Sequence, residues 1–188
     1  MTVEKNDTKN KIQDAAERLI IQGGYGAFSF RDIAEEVGIK SASVHYHYPT
    51  KGDLASAVMT RYINEFSAQL PNPNDESLDP NAMLEGFING FKAKIVDHQN
   101  MSLCTMLTAD KHILPDEVSA ALTAFYNVKI EWLTLLFMRL ASLQEEQAKT
   151  QTIQFLATLH GASVLVQATG NADFFERALS YWRMVYVK

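Results

Sequence analysis

Between Ile39 and Gly52 the chain carries no acidic residue. Once Val44 is turned inward, the side chains facing out there are Lys40, Ser41, Ala42, Ser43, His45 and Tyr46. These groups are small, hydrogen-bonding or cationic, whereas a solvated helix on an enzyme surface more often carries Glu/Lys pairs. Hydroxyls, imidazole, phenol and ammonium together suit contact with a polyanion. Several can donate to phosphate oxygens, and the missing carboxylates remove the repulsion that each phosphate would exert. Arg31, a few residues earlier, has the reach to touch a nucleic-acid backbone or a base edge.

The elements needed to position these groups are legible on either side. Phe30, Ile33, Ala34 and Val37 repeat at i, i+3, i+4 and i+7, which predicts a helix over about Phe30 to Val37 with Ser29 as its hydroxyl N-cap. Gly38 follows, where a left-handed C-terminal residue is least costly for glycine. Ile39 re-enters the core, Ser41 is expected to cap a short second helix, and Pro49 stops it. Ala34 is small where two steeply crossing backbones would approach. This is helix-turn-helix spacing, whose second helix can enter a major groove. Residues 8–23 place Ile12, Ala15, Ala16, Leu19 and Ile20 on one face and end at Gly23-Gly24, which completes a three-helix module.

The stretch from Ala15 to Leu54 resembles the DNA-binding domain of TetR/AcrR transcriptional regulators, through FSFRDIAEEVGIKSASVHYHYPTKGDL and the preceding helix ending in GGYGAF. About a quarter of the chain carries the specific match. The resemblance implies a homodimer with an N-terminal DNA-binding domain and a C-terminal ligand-binding, dimerising domain. Position by position it implies DNA contacts from Ser29 and Arg31, from Lys40, Ser41, Ala42, Ser43, His45, Tyr46 and His47, and a phosphate contact from Lys51. The chain departs from the family pattern at His45, where tyrosine is usual, and at Tyr48, where phenylalanine is usual. His45 can donate to phosphate in either tautomer and would bind more strongly when protonated, or it is a neutral hydrogen-bonding substitute.

Length and composition fit this organisation. The 188 residues suffice for a small domain joined to a larger one, expected at 1–51 and 52–188, with a connecting helix opening the second. Residues 1–61 hold eight Lys/Arg and eight Asp/Glu, so the net charge of −5 lies wholly in the rest of the chain. That is a weaker basic footprint than a nonspecific DNA coater needs, and it suits a dimer reading a site through few phosphates. No apolar run approaches the length of a bilayer span, the charged N-terminus is unlike a secretory signal, and one cysteine allows no intrachain disulfide, so the cytoplasm is the expected compartment.

The remaining segments read as helices at about 80–98, 101–110, 115–142, 144–169 and 171–187, following a linker at 71–80, PNPNDESLDP. No segment sustains strand alternation, so the expected fold is all-α. The apolar residues Phe87, Phe91, Cys104, Leu107, Phe125, Tyr126, Trp132 and His160 are candidates for an effector pocket, although each also suits an ordinary helical core. Cys104 admits two readings: a thiol made reactive by a helix start, or a small buried hydrophobe. The two last helices carry more apolar surface than a monomer easily buries. Phe155, Leu159, Ala162, Val166, Phe174, Tyr181, Trp182 and Val185 are the expected faces of a two-fold four-helix interface.

His98, His112 and His160 form no i, i+4 pair, and no cysteine pair accompanies them, so no metal is expected. There is no G-x-S-x-G elbow, Gly-rich phosphate loop or recognisable carboxylate pair, and Pro115-Asp116-Glu117 reads as a helix start. Neither enzymatic activity nor a cofactor is expected. The expected function is a homodimeric repressor on a double-stranded operator, released by a small, largely apolar effector through the helix around residues 52–69. The alternatives are an activator, an effector-independent repressor, or a helical carrier or enzyme retaining the scaffold.

Overall fold

The computed structural model of the chain describes residues 2–94 and 101–187, and the described residues form nine α-helices with no strand. They are α1 (Thr2–Gly23), α2 (Phe30–Val37), α3 (Ser41–His47), α4 (Lys51–Gln69), α5 (Pro80–Lys92), α6 (Leu103–Ala109), α7 (Asp116–Ala141), α8 (Glu145–Thr169) and α9 (Asp173–Tyr186). Short 3₁₀ turns follow α1 at Tyr25–Ala27 and α6 at Lys111–Ile113. The all-α expectation holds. The expected helix over 80–98 is described only as far as Lys94, and His98 lies outside the described residues. Among the described residues no helix is long and apolar enough to cross a membrane.

Contacts divide the chain into two compact units, residues 1–67 with 103–125, and residues 68–102 with 126–188. The first unit thus takes in most of α4, all of α6 and the start of α7, in addition to residues 1–51. Its core is the apolar face of α1 (Ile12, Ala15, Ala16, Ile20) against Phe28, Phe30, Ile33, Ala34 and Val44, with Leu54, Ala55 and Val58 of α4. Local chemistry sets each boundary. The Ser29 hydroxyl accepts from the Asp32 amide while the Asp32 carboxylate accepts from the Ser29 amide at 2.7 Å, a reciprocal cap that starts α2. Gly38 ends α2 at φ 75°, where its N–H bonds back to Ala34 and Glu35 carbonyls. Thr50 and Asp53 repeat the reciprocal cap at the start of α4, at 2.9 and 3.0 Å. One expected detail is corrected: α3 is capped by Lys40 without a side-chain bond, and Ser41 is its first helical residue.

Tyr48 is 4 % exposed, and its hydroxyl accepts a 2.8 Å hydrogen bond from the amide nitrogen of Gln13, itself buried. The extra oxygen therefore has a partner reaching across from α1. Tyr48→Phe would leave the Gln13 amide buried without an acceptor and is expected to cost about 1–2 kcal/mol. The double variant Gln13→Leu/Tyr48→Phe removes both partners and should cost clearly less than the two single losses combined, as measured by urea unfolding. Strict additivity would mean that the bond is not made.

In the second unit, α5, α7, α8 and α9 close on one core of Met83, Leu84, Ile88, Leu133, Leu136, Phe137, Phe155, Leu156, Leu159, Phe175, Leu179 and Trp182. The 71–79 segment is tied to α7. Trp132 Nε1 donates to the Pro71 carbonyl at 2.7 Å, and Arg139 donates to the carbonyls of Pro73 and Leu78. Arg183 of α9 pairs with Glu85 of α5 at 3.2 Å and with Glu176, which also meets Lys92.

Candidate functional site

The α2–turn–α3 segment presents one face of α3 outward because Val44, fully buried, fixes the opposite face against the core. Lys40, Ser41, Ala42, His45 and Tyr46 are exposed, and Ser43 and His47 are partly so. Tyr46 is 71 % exposed, an unusual setting for a large aromatic, with its ring edge-on to His47 at 5.4 Å. His45 packs its ring edge-on to Phe30 at 4.6 Å, so its imidazole is oriented from the α2 side. Arg31 is exposed in the first turn of α2, and Ser29 is exposed with its hydroxyl engaged in the cap.

Four acids of this module are engaged in a cap or in ion pairs. Asp32 is held below the usual carboxylate range by hydrogen bonds from the Ser29 hydroxyl and amide. Glu36 pairs with Arg18, and Glu17 and Asp14 pair with Arg61. Lys51 is half-buried, with its ammonium 4.2 Å from the Phe28 ring centre and 4.6 Å from that of Tyr25. Burial lowers its pKa, against the opposing pull of Asp32 and Asp110. The lysine thus clamps the aromatic corner below α3 as well as adding positive charge.

Sequence reading missed a clasp in the same unit. Asp110 accepts the Tyr25 amide at 2.6 Å directly after Gly24, which stands at φ 82°. A Cβ at Gly24 would come within 2.2 Å of the Asp110 carboxylate, and one at Gly52 within 2.1 Å of the Glu117 carboxylate. Glycines at the end of α1 and the start of α4 therefore let residues 110–117 approach the three-helix module closely. The only sequence signal was the Gly-Gly pair, which reads equally well as a plain helix stop.

The candidate pocket residues divide between the two units. Cys104, Leu107 and Phe125 are buried in the first, where Tyr62 and Phe66 of α4 pack on Phe125 at 5.1 and 5.2 Å. Cys104 has no exposed surface, which fits a core residue and leaves no thiol surface open to a dissolved electrophile. The second unit gathers the others. Phe87 stacks on Trp132 at 5.5 Å, while Phe91 and Tyr126 contact the His160 ring at 5.4 and 5.7 Å.

Burial and, secondarily, the charge of Lys129 lower the His160 pKa to about 4. Its Nε2 is buried with no hydrogen-bond partner among the described residues. The folded state thus holds a neutral imidazole that the unfolded chain would protonate near pH 6.5. The stability tied to this group is complete above that pH and is lost as pH falls toward 4, amounting to on the order of 3 kcal/mol. His160→Gln should flatten the stability profile between pH 6.5 and 4, as followed by thermal melts, and an unchanged slope would contradict the assignment.

The expected interface residues require correction. Phe155, Leu159, Ala162, Val166 and Trp182 are buried in the chain's own core, and Phe174 is half-buried. Of the eight, only Tyr181 and Val185 are exposed. The apolar groups left outward on α8 and α9 are Ile153, Val164, Leu165, Tyr181, Met184 and Val185, between 37 and 73 % exposed. Among the described residues, no three His, Cys, Asp or Glu side chains are placed to hold a metal ion.

A capped α2, a left-handed glycine and an outward α3 on an all-helical chain define a helix-turn-helix protein. The profile of bacterial regulatory proteins of the tetR family matches residues 12–58. A TetR-family transcriptional regulator from Agrobacterium tumefaciens superposes with a TM-score of 0.86 at 28 % identity, over 98 % of this chain and 100 % of that one. The HTH-type transcriptional repressor KstR2 of Rhodococcus jostii is 22 % identical over 62 % of this chain and 56 % of its own. The HTH-type nicotine-responsive transcriptional repressor HdnoR of Paenarthrobacter nicotinovorans is 27 % identical over 53 % of this chain and 51 % of its own. The chain spans about half the length of the curated relatives it matches. Residues 12–58 thus carry the DNA-binding domain described by that family model, and the chain as a whole is similar to TetR-family regulators.

Proposed function

We propose that the protein is a homodimeric transcriptional repressor that reads a roughly palindromic operator and leaves it when a small effector binds the second unit. The observation that carries the reading is the outward, acid-free face of α3, from Lys40 to His47, held by a fully buried Val44. Its side-chain types match those that contact phosphates and base edges in a major groove. Ser29, Arg31 and Lys51 flank it and serve as backbone contacts. Two relatives with matching sequence are named repressors, one of them nicotine-responsive, which supports repression and effector control as the mode of action.

The dimer forms through the exposed apolar stripe of α8 and α9, because a patch of this kind in water favours a self-complementary two-fold partner. Two recognition helices related by that axis then address half-sites about one helical turn apart. The effector acts by favouring a state whose recognition helices no longer match that spacing, with a coupling of about 1–3 kcal/mol. Selection of bound sequences from random duplex DNA tests the proposal. The expected product is a pair of inverted half-sites, and recovery of no enriched sequence would remove the reading.

A further inference from the structure

We propose that Lys9, on α1, contacts a DNA phosphate at the edge of the groove that α3 enters. The inference adds a contact to the DNA-binding reading above and rests on it. Gln13 of α1 donates to the Tyr48 hydroxyl at 2.8 Å, which docks this part of α1 against the residue that ends α3. Lys9 lies one turn before Gln13 on the same face of α1. It is exposed, and its ammonium stands 5.8 Å from the centre of the Tyr48 ring. A cation therefore sits beside the C-terminal end of α3, while Lys40, also exposed, caps the N-terminal end. Positive charge thus stands at both ends of the outward helix.

The surroundings leave this charge available. Among the described residues Lys9 forms no ion pair, whereas Lys11 pairs with Asp7 at 2.7 Å. Arg61, whose charge also reaches Tyr48, is engaged by Asp14 and Glu17. A ring centre 5.8 Å away is near the outer limit of a cation–π contact and returns little at an exposed site. The ammonium is thus placed beside α3 without being neutralised, and a phosphate oxygen would supply a charge-assisted partner. Helix geometry sets Lys11 apart from it. Two residues turn about 200° around the axis, and Lys11 lines a shallow cleft with Asp14, Arg18, Glu36 and Val37 instead.

Gel retardation by the full chain tests the contact, with a duplex recovered by selection and titrated between about 50 and 200 mM salt. Each phosphate neutralised adds about 0.9 to the steepness of log affinity against log salt. Lys9→Met is expected to reduce that steepness by about 0.9 for each subunit on the duplex, and to cost about tenfold in affinity per subunit at the lower salt. Lys9→Gln should do the same. Single-base variants of the duplex should weaken by the same factor, because a phosphate contact carries no sequence information. Lys9→Arg keeps the charge and should stay within about 0.2 of the wild-type slope, and Lys11→Met within about 0.3. Methylphosphonates scanned along the duplex should reveal a phosphate whose neutralisation weakens wild type but not Lys9→Met. Both charge-removing variants are expected to melt within about 2 °C of wild type, as exposed substitutions do.

An unchanged slope in Lys9→Met and Lys9→Gln, an equal loss in Lys11→Met, or a phosphate scan that is the same for Lys9→Met as for wild type would overturn the proposal. Any of these results with specific binding by wild type removes the Lys9 contact and keeps α3 as the reading helix. Failure of wild type to retard the duplex at all removes the DNA-binding reading, and the contact with it.

Discussion

Phe155→Ala is expected to lower the stability of the subunit by about 3–5 kcal/mol, a loss large enough to dominate its behaviour. The ring has no exposed surface and lies 5.1 Å from Trp182, 5.6 Å from Phe137 and 6.1 Å from Phe87. Truncation would leave a cavity where α5, α7, α8 and α9 meet, and the surrounding aromatic side chains cannot collapse into it without leaving their own contacts. Urea unfolding followed by circular dichroism measures the effect. A variant that stays as stable as wild type but sediments as a monomer would return Phe155 to the interface and contradict the burial.

The exposed apolar groups of α8 and α9 should behave in the opposite way. Leu165→Glu combined with Tyr181→Glu is expected to weaken self-association at least about a hundredfold while leaving the helical signal unchanged. Leu165 is 50 % and Tyr181 58 % exposed on the subunit, so neither substitution disturbs its core. Across a two-fold axis each carboxylate would be buried twice, without a cationic partner. Sedimentation velocity at micromolar concentration is expected to show a dimer for wild type and a monomer for the variant. A variant that remained dimeric would exclude α8 and α9 as the seam.

These two outcomes bear on what the amino-acid order reveals. The α2–turn–α3 unit was legible because its signals are local: a serine cap, four apolar positions in helical register, a glycine where the backbone turns left-handed, and one inward valine. The surface of α8 was not legible in the same way. Its buried side (Ala148, Phe155, Leu159, Ala162, Val166) is apolar apart from Thr152, and its exposed side also carries Ile153, Val164 and Leu165, so periodicity alone does not say which of these apolar groups turn inward. Contacts between distant segments were also invisible. The Gln13–Tyr48 bond joins residues 35 apart, and the Tyr25–Asp110 bond joins residues 85 apart. Nothing local marks Asp110 as an acceptor for a backbone amide beside Gly24.

The pocket candidates show both sides of this rule. Phe87, Phe91, Tyr126, Trp132 and His160 do come together, whereas Cys104, Leu107 and Phe125 belong to the core of the other unit. Aromatic content did not show which core each side chain joins. Lys129 escaped notice altogether, since a single lysine in a helix ordinarily reads as a solvated position.

The most direct measurement is the affinity of wild type and Ala42→Asp for an operator recovered by selection, titrated by gel retardation in low salt. Ala42 is exposed in the first turn of α3, where an added carboxylate favours the helix dipole and leaves the fold intact. Wild type is expected to bind specifically, and the variant at least about a hundredfold more weakly with the same melting temperature, because the new charge faces phosphates and base-edge acceptors. Binding within about twofold of wild type, or no retardation of duplex DNA by wild type itself, would contradict the placement of α3 in the groove.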